Sequence, residues 1–333
     1  SRAANWSIYG YNRNTNPELT KIKGLTAFSH VLTESNTTHK SVPMLMSSVT
    51  AHDFNSIYRQ KGIITAFKEA GYRTAFFSNQ RYNHSFIDFF GKEADICDFI
   101  KEDAGDGSYN PSDDELLKLV AAELAENASK QFIVLHTYGS HFNYRERYPA
   151  DHAFFLPDFP VDAELKYKDN LINAYDNSIR YTDNFLARLI RMLQEQDIDA
   201  AMLYTSDHGE DIFDDDRHLF LHASPVPSYY QIHVPFLIWM SDNYRKNYPD
   251  LFKNAEINRQ KNISSSASFF QTMLELGGID TPSRNDSLSV INASYTEKNR
   301  VYLNDHNEAR SLNDIGMREE DFTMLQTKGI VYR

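Results

Sequence analysis

The chain has 333 residues, 41% of them hydrophobic and 24% charged, and a net charge of −12. That is globular composition with ample apolar material for a core, and its acidic balance is a poor match for nucleic-acid backbones or anionic lipid heads, which select clustered Lys and Arg. The single cysteine, Cys97, excludes an intrachain disulfide and a cysteine-built zinc site, so any metal must use His, Asp, Glu or Thr.

In chain order, residues 25–31 read as a strand. The hydroxyl-rich run 35–41 precedes a helix start expected after Pro43. Residues 58–70 read as a helix ended by Gly71, and 73–78 as a strand of β-branched and aromatic residues. Residues 103–114 form a Gly, Ser, Asn, Pro and Asp loop, in which Ser112 caps a helix over 113–127. A buried strand is expected over 131–137, then an irregular aromatic and proline-rich stretch over 144–161.

Residues 164–194 carry a long helical period, with Leu171, Ala174, Tyr175, Ile179, Thr182 and Leu186 at three- and four-residue steps. Strands follow over 200–206 and 234–240, and a helix over 265–276 stops at Gly277-Gly278. The longest strand-like apolar run, 234–240, falls far short of the ~18 residues of a membrane span, and no signal peptide opens the chain. There is no internal repeat and no convincing linker. Alternating strands and helices predict an α/β fold, with a mainly parallel central sheet and helices on both faces. Ligands in such folds bind beyond the carboxyl ends of the strands.

Four segments place metal-ligating and nucleophilic side chains at such positions. The strand 200–206 runs directly into Asp207-His208-Gly209-Glu210, where a carboxylate and an imidazole suit zinc and Gly209 allows a sharp turn. The strand 131–137 runs into Gly139-Ser140-His141; His136 lies inside the strand pattern and reads as a structural histidine. His222 follows the Asp-His pair by a short acidic loop, with His218 four residues before it. Ser35-Asn36-Thr37-Thr38 offers hydroxyls beside a helix N-terminus, where backbone N–H groups favour bound phosphate.

With Arg2-Ala3, Gly10-Tyr11 and Thr15-Asn16-Pro17 at the start, these segments resemble the phosphoethanolamine transferases of bacterial envelopes, a family that includes lipid A-modifying enzymes linked to polymyxin resistance. The run from Leu171 to Asn177 matches a family helix almost letter for letter. The resemblance spans residues 1 to about 286 and implies an alkaline phosphatase or sulfatase-like fold, here one catalytic domain over 1–333 with 287–333 as a C-terminal extension. It places the nucleophile at Thr38, five residues before the proline of Ser41-Val42-Pro43, and zinc on Thr38, Asp207 and His208. His141 and His222 would serve the substrate phosphate or a second zinc, and His84 aligns loosely with a family lysine near the substrate.

The implied reaction takes phosphoethanolamine from phosphatidylethanolamine onto Thr38, then passes it to lipid A or an envelope glycan. The resemblance further implies a monomer, a membrane domain upstream of Ser1, and a place on the bacterial inner membrane facing the periplasm. The family's motif glutamate would fall two residues before Ser1, and the disulfides of many members are absent. The alternatives are a sulfatase, another phosphodiesterase or phosphoglycerol transferase of the superfamily, or a non-catalytic module that kept the fold. A sulfatase motif needs an arginine where this chain has Leu45.

Overall fold

The computed structural model describes residues 1–101, 111–160 and 162–332; most of the expected 103–114 loop and the last residue of the 144–161 stretch lie outside them. Among the described residues two three-stranded sheets carry the fold. One has the order β4 (Ile96–Phe99), β3 (Arg73–Ser78), β5 (Gln131–His136), all parallel. The other has the order β1 (Leu25–Ala27), β9 (Phe236–Met240), β6 (Ala201–Thr205).

The expected alternation of strands and helices holds, and parallel pairing makes up the whole of the first sheet. The second is antiparallel because Thr205 pairs with Phe236. The connection from β6 leaves and re-enters at the same end of the sheet, so β9 must run back without a crossover helix. β9 is buried at all five positions, which explains its unbroken apolar sequence.

The expected strand 25–31 divides in two. Phe28, Ser29 and His30 turn the chain out of β1, and β2 (Val31–Leu32) pairs with β10 (Ile263–Ser264) instead. The expected helix 58–70 is also shorter. A 3-10 segment ends at Arg59, and α2 (Ile63–Glu69) begins after Gly62. A Cβ at Gly62 would lie 2.5 Å from the Glu93 carboxylate, which accepts the Gly62 N–H, so this break is built by tertiary contact.

The helix expected after Pro43 begins five residues earlier. It is α1 (Thr38–Met46), with Thr37 as N-cap and Pro43 inside it. Among the described residues there follow α3 (Phe86–Gly91), α4 (Asp114–Ala125), α5 (Lys168–Gln194), α6 (Tyr229–Ile232), α7 (Asp242–Asn247), α8 (Pro249–Asn258) and α9 (Ser265–Leu276). α4 starts within a residue of the expected position but takes no side-chain cap from Ser112. The 144–161 stretch holds two 3-10 turns, at Tyr144–Arg147 and Ala150–His152.

α5, 27 residues long, is the spine of the larger core. Leu171, Ala174, Tyr175, Ile179, Leu186 and Ile190 form one buried stripe against Trp6, Leu237 and Trp239. At roughly 2 kcal/mol for each large apolar side chain removed from water, this stripe is a main source of fold stability.

The C-terminal extension is integrated with the rest of the chain. A hairpin of β11 (Val301–Leu303) and β12 (Ala309–Ser311) leads to α10 (Glu319–Thr327). Tyr302, Leu312, Phe322 and Leu325 bury a cluster with Leu32, Tyr229 and Ile232. Leu303 donates its N–H to the Glu34 carbonyl at 2.7 Å. Asp321, buried, pairs with Arg217 at 2.7 Å and accepts the Tyr229 N–H.

Candidate active site

The site forms where three strand ends meet. β2 delivers the segment that ends at Thr38, β6 delivers Asp207 and His208, and the short β8 (Phe220–Leu221) delivers His222. β8 pairs with β7 (Asp211–Ile212), so the acidic loop between them closes as a hairpin. Leu221 and Ala223 hold φ of 67° and 65°, a left-handed conformation that costs non-glycine residues energy, and they flank His222. Asn36 ties this loop to the nucleophile segment: its side chain donates to the Ser224 carbonyl at 2.9 Å and its carbonyl accepts the Ala223 N–H.

Thr38 is the first residue of α1, so its hydroxyl sits at a helix N-terminus. Its Oγ1 lies 3.0 Å from His208 Nε2. The other ring nitrogen, His208 Nδ1, lies 2.8 Å from the Gly209 carbonyl, which can only accept. Nδ1 therefore carries the proton, and Nε2 presents its lone pair to Thr38. Burial lowers the His208 pKa, which keeps the imidazole neutral.

Asp207 Oδ2 lies 3.3 Å from the same Nε2, and Ser41, one turn along α1, reaches it at 3.4 Å. Burial opposes the Asp207 carboxylate, but the electrostatic pull of its neighbours and the His208 backbone N–H outweigh it and bring the pKa to about 2. Thr33 fixes the backbone by donating to the Asp207 carbonyl at 2.8 Å.

His222 stacks its ring 4.1 Å from that of His208. Its Nδ1 is buried with no hydrogen-bond partner. Burial first, then neighbouring His208, lowers its pKa to about 4. An unpartnered buried nitrogen beside a hydroxyl, a carboxylate and a second imidazole is a mark of a ligand site. His141 is more exposed, with its ring 6.3 Å from His222.

Zinc takes N and O ligands at ~2.0–2.2 Å, so tetrahedral ligands sit roughly 3.2–3.6 Å apart. The 3.0 and 3.3 Å separations of Thr38 Oγ1 and Asp207 Oδ2 from His208 Nε2 are close to that spacing. Among the described residues no group of three His, Cys, Asp or Glu side chains could hold a metal, so a three-ligand set here needs the threonine hydroxyl.

Of the other histidines, His136 is held in β5 by Ser78 at 3.0 Å, the structural placement its strand position predicts. His218 and His84 stand outside the cluster. His218 is exposed in the turn at φ 50°, and its i, i+4 spacing to His222 is not helical because β8 lies between them. His84, exposed at φ 61°, packs its ring on Tyr82 at 4.5 Å. Gly209 does not supply the expected sharp turn, for its φ is not positive; a Cβ there would lie 2.0 Å from the Tyr230 carbonyl and 2.9 Å from Arg2. Close backbone approach is what requires glycine.

One buried acid by the site stands in the Asp-His-Gly-Glu run, but sequence reading assigned it no role. Burial pushes Glu210 up to a pKa of about 7, against the field of Arg2. Its signal was its place directly after the Asp-His-Gly run.

Residues 1–279 match the sulfatase family model, and the chain belongs to the sulfatase family. Curated relatives to which it is similar include phosphoethanolamine transferases. It is 26% identical to the phosphoethanolamine transferase EptC of Escherichia coli O18:K1:H7, over 88% of this chain and 52% of the relative. It is 31% identical to the Kdo(2)-lipid A phosphoethanolamine 7''-transferase of E. coli K12, over 77% of this chain and 45% of the relative. The chain thus spans about half the length of the curated relatives it matches. In fold it is similar to the C-terminal periplasmic domain of E. coli EptC in complex with zinc: TM-score 0.85, 23% identity, covering 95% of this chain and 90% of that one.

Proposed function

We propose that this chain is the catalytic domain of a zinc-dependent phosphoethanolamine transferase, with Thr38 as nucleophile. The observation that carries the reading is the Thr38 hydroxyl at the α1 N-terminus, 3.0 Å from a His208 nitrogen that has no proton of its own. The names of the relatives support the transferred group.

Asp207, His208 and Thr38 would hold the metal. A zinc ion bound there supplies Lewis acidity that lowers the pKa of a coordinated hydroxyl and stabilises negative charge on phosphate. Thr38 Oγ forms a bond to phosphorus, the bond from phosphorus to the diacylglycerol oxygen breaks, and the hydroxyl proton ends on that oxygen. The phosphoethanolamine then leaves Thr38 for an acceptor such as lipid A. The α1 N-terminus orients its free N–H groups toward the phosphate. His222, near His208, and His141 beside it would contact phosphate oxygens or a second zinc and relay protons. The whole protein is proposed to hold this domain at the periplasmic face of the inner membrane, as a monomer.

The test is intact mass spectrometry of a chain extended upstream of Ser1, incubated with zinc and phosphatidylethanolamine beside Thr38→Ala. A phosphoethanolamine adduct on Thr38, absent from the variant, is expected. Bound zinc without an adduct would point to another head-group donor or a hydrolase. No bound zinc would point to a non-catalytic module.

A further inference from the structure

At one rim of the site the ring of Tyr138 gathers two cations. Lys101 Nζ lies 4.0 Å from its centroid and Arg147 Cζ 4.1 Å. Tyr138 is itself joined to the site, for its ring lies 5.2 Å from His141, which faces His222. The platform is held firmly. Asp113 accepts the Tyr138 and Gly139 N–H groups at 2.8 and 2.9 Å, and Gly139 takes the φ of 56° that turns the loop.

Several cations of this acidic chain are held by close carboxylates, as Arg13 is by Asp176 at 2.8 Å, Arg73 by Glu123 at 2.9 Å and Arg147 itself by Glu146 at 2.9 Å. Lys101 makes no hydrogen bond or ion pair of its Nζ among the described residues. Burial first, then the fields of Arg147 and Arg81, lower its pKa. Arg147 is nearly buried and fixed, with Nε on the Asn143 carbonyl at 3.2 Å and Nη2 on exposed Glu146 at 2.9 Å. Among the described residues, Lys101, Arg147 and Arg81 here face Glu146 and an Asp113 already committed to backbone donors. Surplus positive charge on a rigid aromatic support is a receptor for an anion.

We propose that Lys101 and Arg147, on the Tyr138 platform, form the subsite that receives the phosphate of an anionic acceptor. This rests on the transferase reading above. The donor does not suit the place, because its ethanolamine ammonium would be repelled. A phosphomonoester carries close to two negative charges near neutral pH and binds guanidinium and ammonium groups strongly. In the second half-reaction an acceptor oxygen forms a bond to the phosphorus on Thr38, the bond from phosphorus to Thr38 Oγ breaks, and that oxygen takes back a proton.

The two half-reactions separate the outcomes. In the full-length protein Lys101→Glu and Lys101→Arg are compared with wild type for Thr38 adduct formation from phosphatidylethanolamine. Discharge of the adduct is then followed with bisphosphorylated lipid A and with fully dephosphorylated lipid A. Lys101→Glu is expected to form the adduct at the wild-type rate and to raise the KM for bisphosphorylated lipid A about tenfold or more. The dephosphorylated lipid, which lacks the acceptor phosphate oxygen, should discharge the adduct little in any of the three proteins, and Lys101→Arg should stay near wild type. An unmoved KM, or slowed adduct formation, overturns the subsite. A wild-type protein that forms no adduct overturns the transferase reading itself, and this inference with it.

Discussion

Around Asp176 the buried polar atoms find partners. Asn5 donates to one carboxylate oxygen at 2.7 Å, while Tyr11 and Arg13 donate to the other at 2.9 and 2.8 Å. Around His208 they do not all do so. His222 Nδ1 is buried without a partner, and Thr38 and Asp207 both converge on one nitrogen lone pair. Both regions are rich in polar groups and both lie in segments that resemble the family. A satisfied network spends its polar groups on holding the chain, whereas an under-satisfied one keeps coordination free for a ligand. Mutation should therefore separate them, one losing stability and the other activity.

The largest effect is expected from Thr38→Ala. Adduct formation should fall by at least about a thousandfold, since the chain loses its nucleophile. The hydroxyl is only half-buried, so the denaturation midpoint should move little. A large loss of stability would break the comparison.

Asp176→Ala is the converse case. It strands Asn5, Tyr11 and the Arg13 guanidinium, and should cost about 3–5 kcal/mol in urea unfolding. If the variant folds, its Thr38 adduct should still form. A stable variant that forms no adduct would assign Asp176 to the site.

A third prediction uses pH. Burial raises Glu34 to a pKa of about 7, and its Oε2 has no partner. Unfolded, it ionises near the ordinary glutamate value of ~4.3. Between the two values only the folded chain holds this proton, so the Glu34 contribution falls as pH rises and levels off above about 7. Glu34→Gln should remove up to ~3 kcal/mol of that slope, read as urea midpoints from pH 5 to 8. Identical pH slopes in both proteins would show that Glu34 is not protonated when folded.

The smallest effects are expected at His84→Ala and His218→Ala. Both histidines are exposed and outside the cluster, so adduct formation should change less than about twofold and stability within ~0.5 kcal/mol. A tenfold loss at His84 would move the site boundary outward.

Much of this was legible in the sequence, because the cues were local. The three- and four-residue apolar period of α5 appears in the structure as its buried stripe. Asp207 and His208 could be placed at a strand end because β6 is a short apolar run with polar residues directly after it. The threonine, the Asp-His pair and the family resemblance come from side-chain types in order, which the sequence states outright.

What needed the tertiary structure were choices made by distant partners. Whether β9 runs with or against β6 depends on which end of the sheet the chain re-enters, and no local pattern encodes that. Strand 25–31 breaks at Phe28 because two different sheets claim its halves, and α2 starts only after Gly62, where Glu93 and Phe90 leave no room for a side chain. The choice among histidines was also tertiary. His222 stacks on His208 while His218, four residues away, faces solvent, since the β7–β8 hairpin sets which side chain points inward. Sequence alone determined which chemical groups this protein owns and roughly where strands and helices begin. Packing decided which of those groups meet, because distances between segments far apart in the chain are fixed by burial, not by local propensity.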